Sequence, residues 1–131
     1  MTLSFNYRLQ TENSTSYDKT TVSVSTNGGI SWIDLAAQFS ANPLVQSPSA
    51  FTNWSGDLSA YAGRSILLRF NFDTFDNAFN GFEGWYVDDV VIQAQGGAAY
   101  VRSTNGQPWE ISDIEVAMTR VIATNWQDLR F

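Results

Sequence analysis

The sequence predicts an all-β fold up to about residue 95, followed by a short strand-helix-strand extension. Three observations carry this prediction. Apolar and polar residues alternate in several segments, an Asn-Gly pair separates two strand-like runs, and the pattern changes after Gly96-Gly97. Alternation with a period of two is typical of strands with one buried face. We therefore divide the chain into a β block, residues 1–95, and an extension, residues 98–131.

The first part of the β block predicts one strand and a hairpin. The apolar positions of the first strand are Leu3, Phe5, Tyr7 and Leu9. Residues 11–16 have no periodicity and are predicted to form a loop. Residues 20–25 are rich in β-branched side chains, which favour strands. Asn27-Gly28 follows and leads into 30–33, and Asn-Gly between two such runs predicts a hairpin because its central residues need positive φ.

The second part of the β block predicts two further strands. Residues 36–56 include Pro43 and Pro48 and are predicted to be mostly loop. Residues 65–72 predict a core strand, since apolar residues recur at every second position. A polar loop, residues 73–84, separates it from the last strand, residues 85–92.

The extension changes in character. Ser112-Asp113-Ile114-Glu115 matches a capping box, in which the Ser and Glu side chains satisfy free backbone N–H groups. Apolar residues then recur at helical spacing, which predicts an amphipathic helix over 113–123. Strands are predicted at 99–103 and 126–131. The extension either begins a further α/β domain or is an arm that packs on the β block or on another subunit.

Composition and charge exclude several classes of function. The chain has 7 Lys and Arg against 13 Asp and Glu, for a net charge of −6. Nucleic acids and anionic membranes require a positive patch, so neither is an expected partner. Cys and His are absent, which excludes thiolate and imidazole metal sites and His-dependent triads. No apolar run reaches the roughly 18 to 20 residues of a transmembrane helix.

Several motifs of the β block occur in a characteristic order. Tyr17-Asp18 precedes Val-Ser-Val-Ser-Thr-Asn-Gly-Gly-Ile-Ser-Trp at 22–32. Asp-Leu-Ser-Ala-Tyr-Ala-Gly follows at 57–63, Leu-Arg-Phe-Asn-Phe-Asp-Thr at 68–74 and Gly-Trp-Tyr-Val-Asp-Asp-Val-Val-Ile at 84–92. With these motifs, residues 2–93 resemble the MAM-like jelly-roll modules of secreted bacterial proteins, including those that accompany immune-inhibitor-A-type metalloproteases.

The resemblance implies an antiparallel β-sandwich of jelly-roll type, an extracellular or cell-surface location and no catalytic activity. Such modules pack on neighbouring domains, bind glycan or protein surfaces and often hold a structural Ca²⁺. The first strand of a complete module is shortened or missing here, which predicts an open sheet edge. The chain begins on a strand pattern without a signal peptide, so we interpret it as a piece of a longer protein or a mature subunit with an added Met.

Carboxylates form the first candidate site. Alternation in the last strand is expected to turn at least one of Asp88 and Asp89 toward the interior, where a carboxylate must be paired or bind a metal. Oxygen ligands from carboxylates and a Gly- and Asn-rich loop favour Ca²⁺. The alternative is that these side chains cap turns by accepting backbone N–H bonds. The candidate metal ligands are Asp18, Asp73, Asp76, Asp88 and Asp89.

Aromatic side chains form the second candidate site. Phe75, Phe79 and Phe82 lie in the polar loop, where rings either fold back over the core or form a contact patch. Trp85 is the fourth candidate ligand-binding residue, although a Trp at this strand position is more often part of a core.

The sequence as a whole predicts one of two functions. The first is a non-catalytic module that binds a glycan or protein surface. The second is a structural subunit that forms homo-oligomers or filaments through open sheet edges and the C-terminal strand.

Overall fold

The computed structural model describes residues 1–94, 97–101, 109–111 and 116–122, and these residues form an all-β structure. A single 3₁₀ turn, Ser59–Tyr61, is the only helical segment in this part of the chain. The strands are β1 (Thr2–Gln10), β2 (Lys19–Ser25), β3 (Ile33–Ala37), β4 (Thr52–Asp57), β5 (Ser65–Asp73), β6 (Gly84–Ala94), β7 (Gly97–Val101), β8 (Trp109–Ile111) and β9 (Val116–Ile122).

The strands pair into two antiparallel sheets. In the first sheet β1 lies between β4 and β6, and in the second β2 lies between β3 and β5. Since β1 takes one edge of β6, β7 and β8 share its other edge, while β9 pairs with the free edge of β5. The described part of residues 97–122 therefore adds strands to both sheets.

The two sheets enclose one apolar core. Alternate residues of β1 point inward and are almost completely buried, as the sequence pattern predicts. Phe70 of β5 lies 5.2 Å from Phe5 of β1 and 5.9 Å from Trp85 of β6, measured between ring centroids. Rings from the two sheets are therefore in contact, and full burial of one such side chain stabilises the fold by about 1.5–3 kcal/mol.

The predicted hairpin is confirmed, but its second strand is Ile33–Ala37 rather than residues 30–33, so its loop is longer than the expected tight turn. β2 and β3 pair antiparallel, and residues 26–32 connect them. Positive φ occurs at Gly28 (73°) and Gly29 (91°) rather than at Asn27. The Asn27 side chain instead braces the loop, since its Oδ1 accepts hydrogen bonds from the Ser25 hydroxyl and the Ser31 N–H.

The predicted helix over 113–123 is not seen. Residues Val116–Ile122 form β9, whose register runs from Ile122 opposite Ser65 to Val116 opposite Asn71. Four of these seven residues are β-branched, and the edge of β5 offers a row of backbone hydrogen bonds, so strand pairing overrides the helical spacing. The capping box 112–115, residue 123 and the predicted strand 126–131 lie outside the described residues.

Tyr7 is a buried polar group of the core. Its hydroxyl oxygen accepts a hydrogen bond of 2.9 Å from the Val45 N–H, and burial raises the pKa of the phenol above its usual value of 10.0. We expect Tyr7→Phe to cost about 1 kcal/mol at pH 7, because this N–H loses its acceptor. The measurement is urea unfolding at pH 7 and pH 11.

The raised pKa of Tyr7 also predicts how its contribution to stability changes with pH. Because the folded-state pKa of Tyr7 is higher than the unfolded one, its contribution is complete below about pH 10 and is lost as the pH rises through the folded pKa. Stability should therefore fall less between pH 7 and pH 11 in Tyr7→Phe than in wild type. Tyr17→Phe, at an exposed position, serves as the control, and equal alkaline losses in all three proteins would contradict the assignment.

Candidate functional site

Three loops that cross between the sheets gather at one end of the fold. They are residues 11–18, between β1 and β2, residues 38–51, between β3 and β4, and residues 74–83, between β5 and β6. Strand register fixes their placement, since the end of β1 lies opposite the start of β6, and the start of β2 lies opposite the ends of β3 and β5. We call these three segments the loop end.

The loop end carries most of the exposed large apolar side chains in the described part of the chain. Ile30 and Ile33 lie elsewhere, in and just after the 26–32 loop. The exposed apolar side chains of the loop end are Tyr17, Phe39, Val45, Phe51, Phe75, Phe79 and Phe82. Exposed apolar surface gathered at one end of a fold typically marks an interaction site.

The structure separates the predicted ligand-binding residues into two groups. Phe75, Phe79 and Phe82 are all exposed, with Phe79 at 78% the most open. Trp85 is fully buried and packs against Phe70. Its ring belongs to the core, so it is not available to a ligand on this surface.

Three exposed phenylalanines of the loop end have a left-handed backbone. The φ angles are 61° at Phe39, 67° at Phe75 and 55° at Phe79. This conformation costs a residue with a Cβ roughly 1–2 kcal/mol. Exposed rings do not recover that cost by burial, so these residues are not placed here by the needs of folding. Strained residues of this kind are concentrated at functional sites.

Asp73 and Asp76 shape the loop that carries Phe75 and Phe79. The Asp73 carboxylate accepts a 3.0 Å hydrogen bond from the Phe75 N–H, and the Asp76 carboxylate accepts one of 2.9 Å from the Ala78 N–H. In addition, the Asn80 amide donates to the Asp76 carbonyl oxygen. Both carboxylates act as turn caps, which is the alternative role expected for such residues.

Asp18 joins two of the three loops. Its carboxylate is buried and accepts a 2.8 Å hydrogen bond from the Glu12 N–H. Its own N–H donates to the Thr74 carbonyl oxygen at 3.3 Å. Asp18 therefore holds residues 11–18 together and ties them to the start of residues 74–83.

The 38–51 loop is held by a side-chain network around Thr11. The Thr11 hydroxyl oxygen accepts hydrogen bonds from the amides of Gln38, at 3.1 Å, and Gln46, at 2.6 Å. The Thr20 hydroxyl donates to the other side of the Gln38 amide at 3.0 Å. The backbone beneath Phe39 and Val45 is thus anchored to the 11–18 loop and to β2.

We expected at least one of Asp88 and Asp89 to point toward the interior. This prediction is wrong, because a β-bulge in β6 interrupts the alternation. Asn6 lies opposite Asp88 and Ser4 opposite Val91, so Phe5 faces two residues of β6. Asp89 has a φ of 49°, and the extra residue lets both Val87 and Val90 point inward. Neither aspartate is buried: Asp88 caps the Asp89 N–H, and Asp89 accepts from the Asn6 amide.

The five candidate metal ligands are not assembled into one site. Asp18 and Asp76 belong to the loop end, Asp73 is the last residue of β5 directly before it, and Asp88 and Asp89 lie at the bulge of β6. Within the described ranges, no three acidic side chains form a group that could hold a metal ion. The structural Ca²⁺, with any of these five aspartates as a ligand, therefore stays a prediction.

A thermal melt tests the calcium prediction directly. If the prediction holds, millimolar Ca²⁺ gives a higher midpoint than EGTA does, whereas carboxylates that serve only as the hydrogen-bond acceptors they already are give the same midpoint in both. A ligand at a hundredfold excess over its Kd would stabilise the fold by about 2.7 kcal/mol, which is several degrees. A shift of that size that disappears in Asp89→Ala would place a calcium ion at the bulge.

Sequence reasoning missed four members of the exposed surface, namely Tyr17, Phe39, Val45 and Phe51. Phe39 lies among Gln, Ser, Ala and Asn residues, the same signal of an apolar ring in a polar loop that identified Phe75.

Comparison of the chain with family models, curated proteins and solved structures finds no match. No helix in the described residues is long and apolar enough to cross a membrane.

Proposed function

We propose that this chain is a non-catalytic extracellular binding or adhesion module that recognises a glycan or protein surface through its loop end. The observation that carries the proposal is the set of exposed aromatic rings on three braced loops. Monomeric proteins rarely expose contiguous apolar patches without a binding role. Neighbouring domains of a larger protein are further partners in this proposal.

We infer a β-sandwich of jelly-roll type for residues 2–93, as the resemblance to MAM-like modules implies. Two features support this finer description: two antiparallel sheets share one core, and three connections cross between them at the same end. Crossing connections place loops from both sheets side by side, which is how sandwich folds build composite binding surfaces on rigid scaffolds. The extracellular location follows from the same resemblance.

A triple variant, Phe75→Ser with Phe79→Ser and Phe82→Ser, tests the proposed function. We expect wild type to bind at least one member of a panel of purified soluble polysaccharides and immobilised peptides, and the triple variant to lose at least tenfold in affinity. Removing exposed rings should leave the thermal midpoint unchanged or higher, since they contribute no core contacts. Affinity electrophoresis and surface plasmon resonance provide the two readouts.

The matched control replaces exposed apolar residues away from the loop end. Ile30 is 87% exposed in the loop between β2 and β3, and Ile33 is exposed at the start of β3. Ile30→Ser with Ile33→Ser should bind as wild type does. Equal binding by the loop-end variant, or an absence of binding by wild type across the panel, would refute the proposal.

A structural subunit that assembles through sheet edges is the second candidate function. In the described part of the chain β4 pairs with β1 alone, so its outer edge is open. An open edge offers unpaired backbone groups to a strand of another copy. Size-exclusion chromatography with light scattering separates the two functions: an oligomer that resists dilution favours assembly, and a monomer that binds a panel member excludes it.

A further inference from the structure

We infer that the partner of the loop end is a protein surface whose protruding apolar side chains are surrounded by Lys and Arg. This inference rests on the proposed function and narrows it to one class of partner. Three features of the loop end support this inference: the shape of its surface, its charge and the backbone conformation of its phenylalanines.

The first feature is the shape of the surface, in which one ring borders two hollows. Phe39 borders a hollow of about 130 Å³ that Lys19 and Thr15 also line. Phe39 also borders a second hollow, of about 260 Å³, lined by Val45 and Pro43. A protruding ring beside side-chain-sized hollows is complementary to a surface with its own protruding side chains, and buried anchors in such pockets dominate protein interfaces.

The surface continues from Phe39 toward the 74–83 loop. The Lys19 ammonium, which borders the smaller hollow, lies 4.6 Å from the centroid of the Phe75 ring. This cation–π contact holds Lys19 over the ring. Phe39, Lys19 and Phe75 thus form a connected row across loops from two different crossings.

The charge around this row is acidic. In the described part of the chain, Lys19 and Arg8 are the cations at this end, and Arg8 is paired with Glu83. The acidic residues in the loop end or directly next to it are Glu12, Asp18, Asp73, Asp76 and Glu83. Five carboxylates against two cations repel an anionic lipid surface and attract a basic protein surface.

Phe39 and Phe75 have a left-handed backbone. We take this as an indication that their rings are kept for binding and not for folding. Asn adopts positive φ far more readily than Phe does. Replacing Phe39 and Phe75 by Asn should therefore remove two contact rings without lowering the stability of the chain. Stability and binding are expected to change independently, or in opposite directions, at these two positions.

The experiment titrates the chain with an amphipathic peptide of leucine and lysine, by calorimetry at low and high NaCl. We expect binding that weakens at high NaCl and falls at least tenfold in Phe39→Asn with Phe75→Asn, while the thermal midpoint does not decrease. An equally charged peptide of serine and lysine tests charge alone, and a peptide of leucine and glutamate tests apolar contact alone. Both should bind at least tenfold more weakly.

The outcomes separate this inference from the proposed function. Equal binding of the Leu-Lys peptide to wild type and the Asn variant overturns the inference, as does equal binding of the Leu-Glu peptide. If wild type ignores the peptides but binds a polysaccharide through Phe75, Phe79 and Phe82, the inference fails and the proposed function stands. Binding to phosphatidylcholine vesicles alone, or self-association lost in the Asn variant, also overturns it. If no probe binds, both fail.

Discussion

Phe70→Ala is expected to lower the free energy of unfolding by about 3–5 kcal/mol, the typical cost of truncating a buried Phe. Phe70 is almost fully buried on β5, and its ring lies 5.2 Å edge-on to Phe5 and 5.9 Å from Trp85. Both partners belong to the opposite sheet. The variant therefore removes the ring that joins the two sheets and leaves a cavity between them.

The measurement is urea unfolding followed by tryptophan fluorescence. Typical domains have only about 5–15 kcal/mol of total stability, so Phe70→Ala should lose a large part of its folded population at 37 °C. Phe79→Ala is the matched control, because the same truncation at a 78% exposed site should change stability by less than about 0.5 kcal/mol. A cost below 1 kcal/mol at Phe70 would show that the sheets do not pack through this ring.

Gly56→Ala is expected to cost about 1–3 kcal/mol, in the range of other overpacking substitutions. A Cβ at Gly56 would lie 2.9 Å from Cζ2 of Trp54 and closer still to Cη2. Trp54 cannot easily move away, since its ring is buried and stacks on Phe5 with centroids 5.1 Å apart. The added methyl group must therefore displace either the indole or the β4 edge strand.

Gly81→Ala is the control for Gly56→Ala. A Cβ at Gly81 meets no atom within 4 Å, and its φ is not positive. We expect this control to be neutral or slightly stabilising, because alanine reduces the conformational entropy of the unfolded chain. Chemical denaturation of both variants is the measurement, and a Gly56→Ala variant as stable as Gly81→Ala would mean that Trp54 is free to repack.

The strand faces could be predicted from the sequence because they depend on a local signal. Alternation in residues 3–9 and 66–72 fixes which side chains point inward, whatever the strands pair with. The sequence singled out the phenylalanines of the 74–83 loop but left open whether they fold back over the core, and their exposure was decided only by the structure. The orientation of Asp88 and Asp89 could not be predicted in this way, because the bulge is a property of the β1–β6 register.

By itself, then, the sequence determines an all-β block with a hairpin at Asn27-Gly28, an acidic surface and a Phe-bearing loop before β6. Only the tertiary structure decides that Trp85 is core, that residues 116–122 join β5 as a strand and that Phe39 lies in the same row as Phe75. The physical reason is the distance along the chain over which each effect acts. Periodicity and turn chemistry act over a few residues, whereas sheet edges, bulges and composite surfaces arise between segments that are distant along the chain.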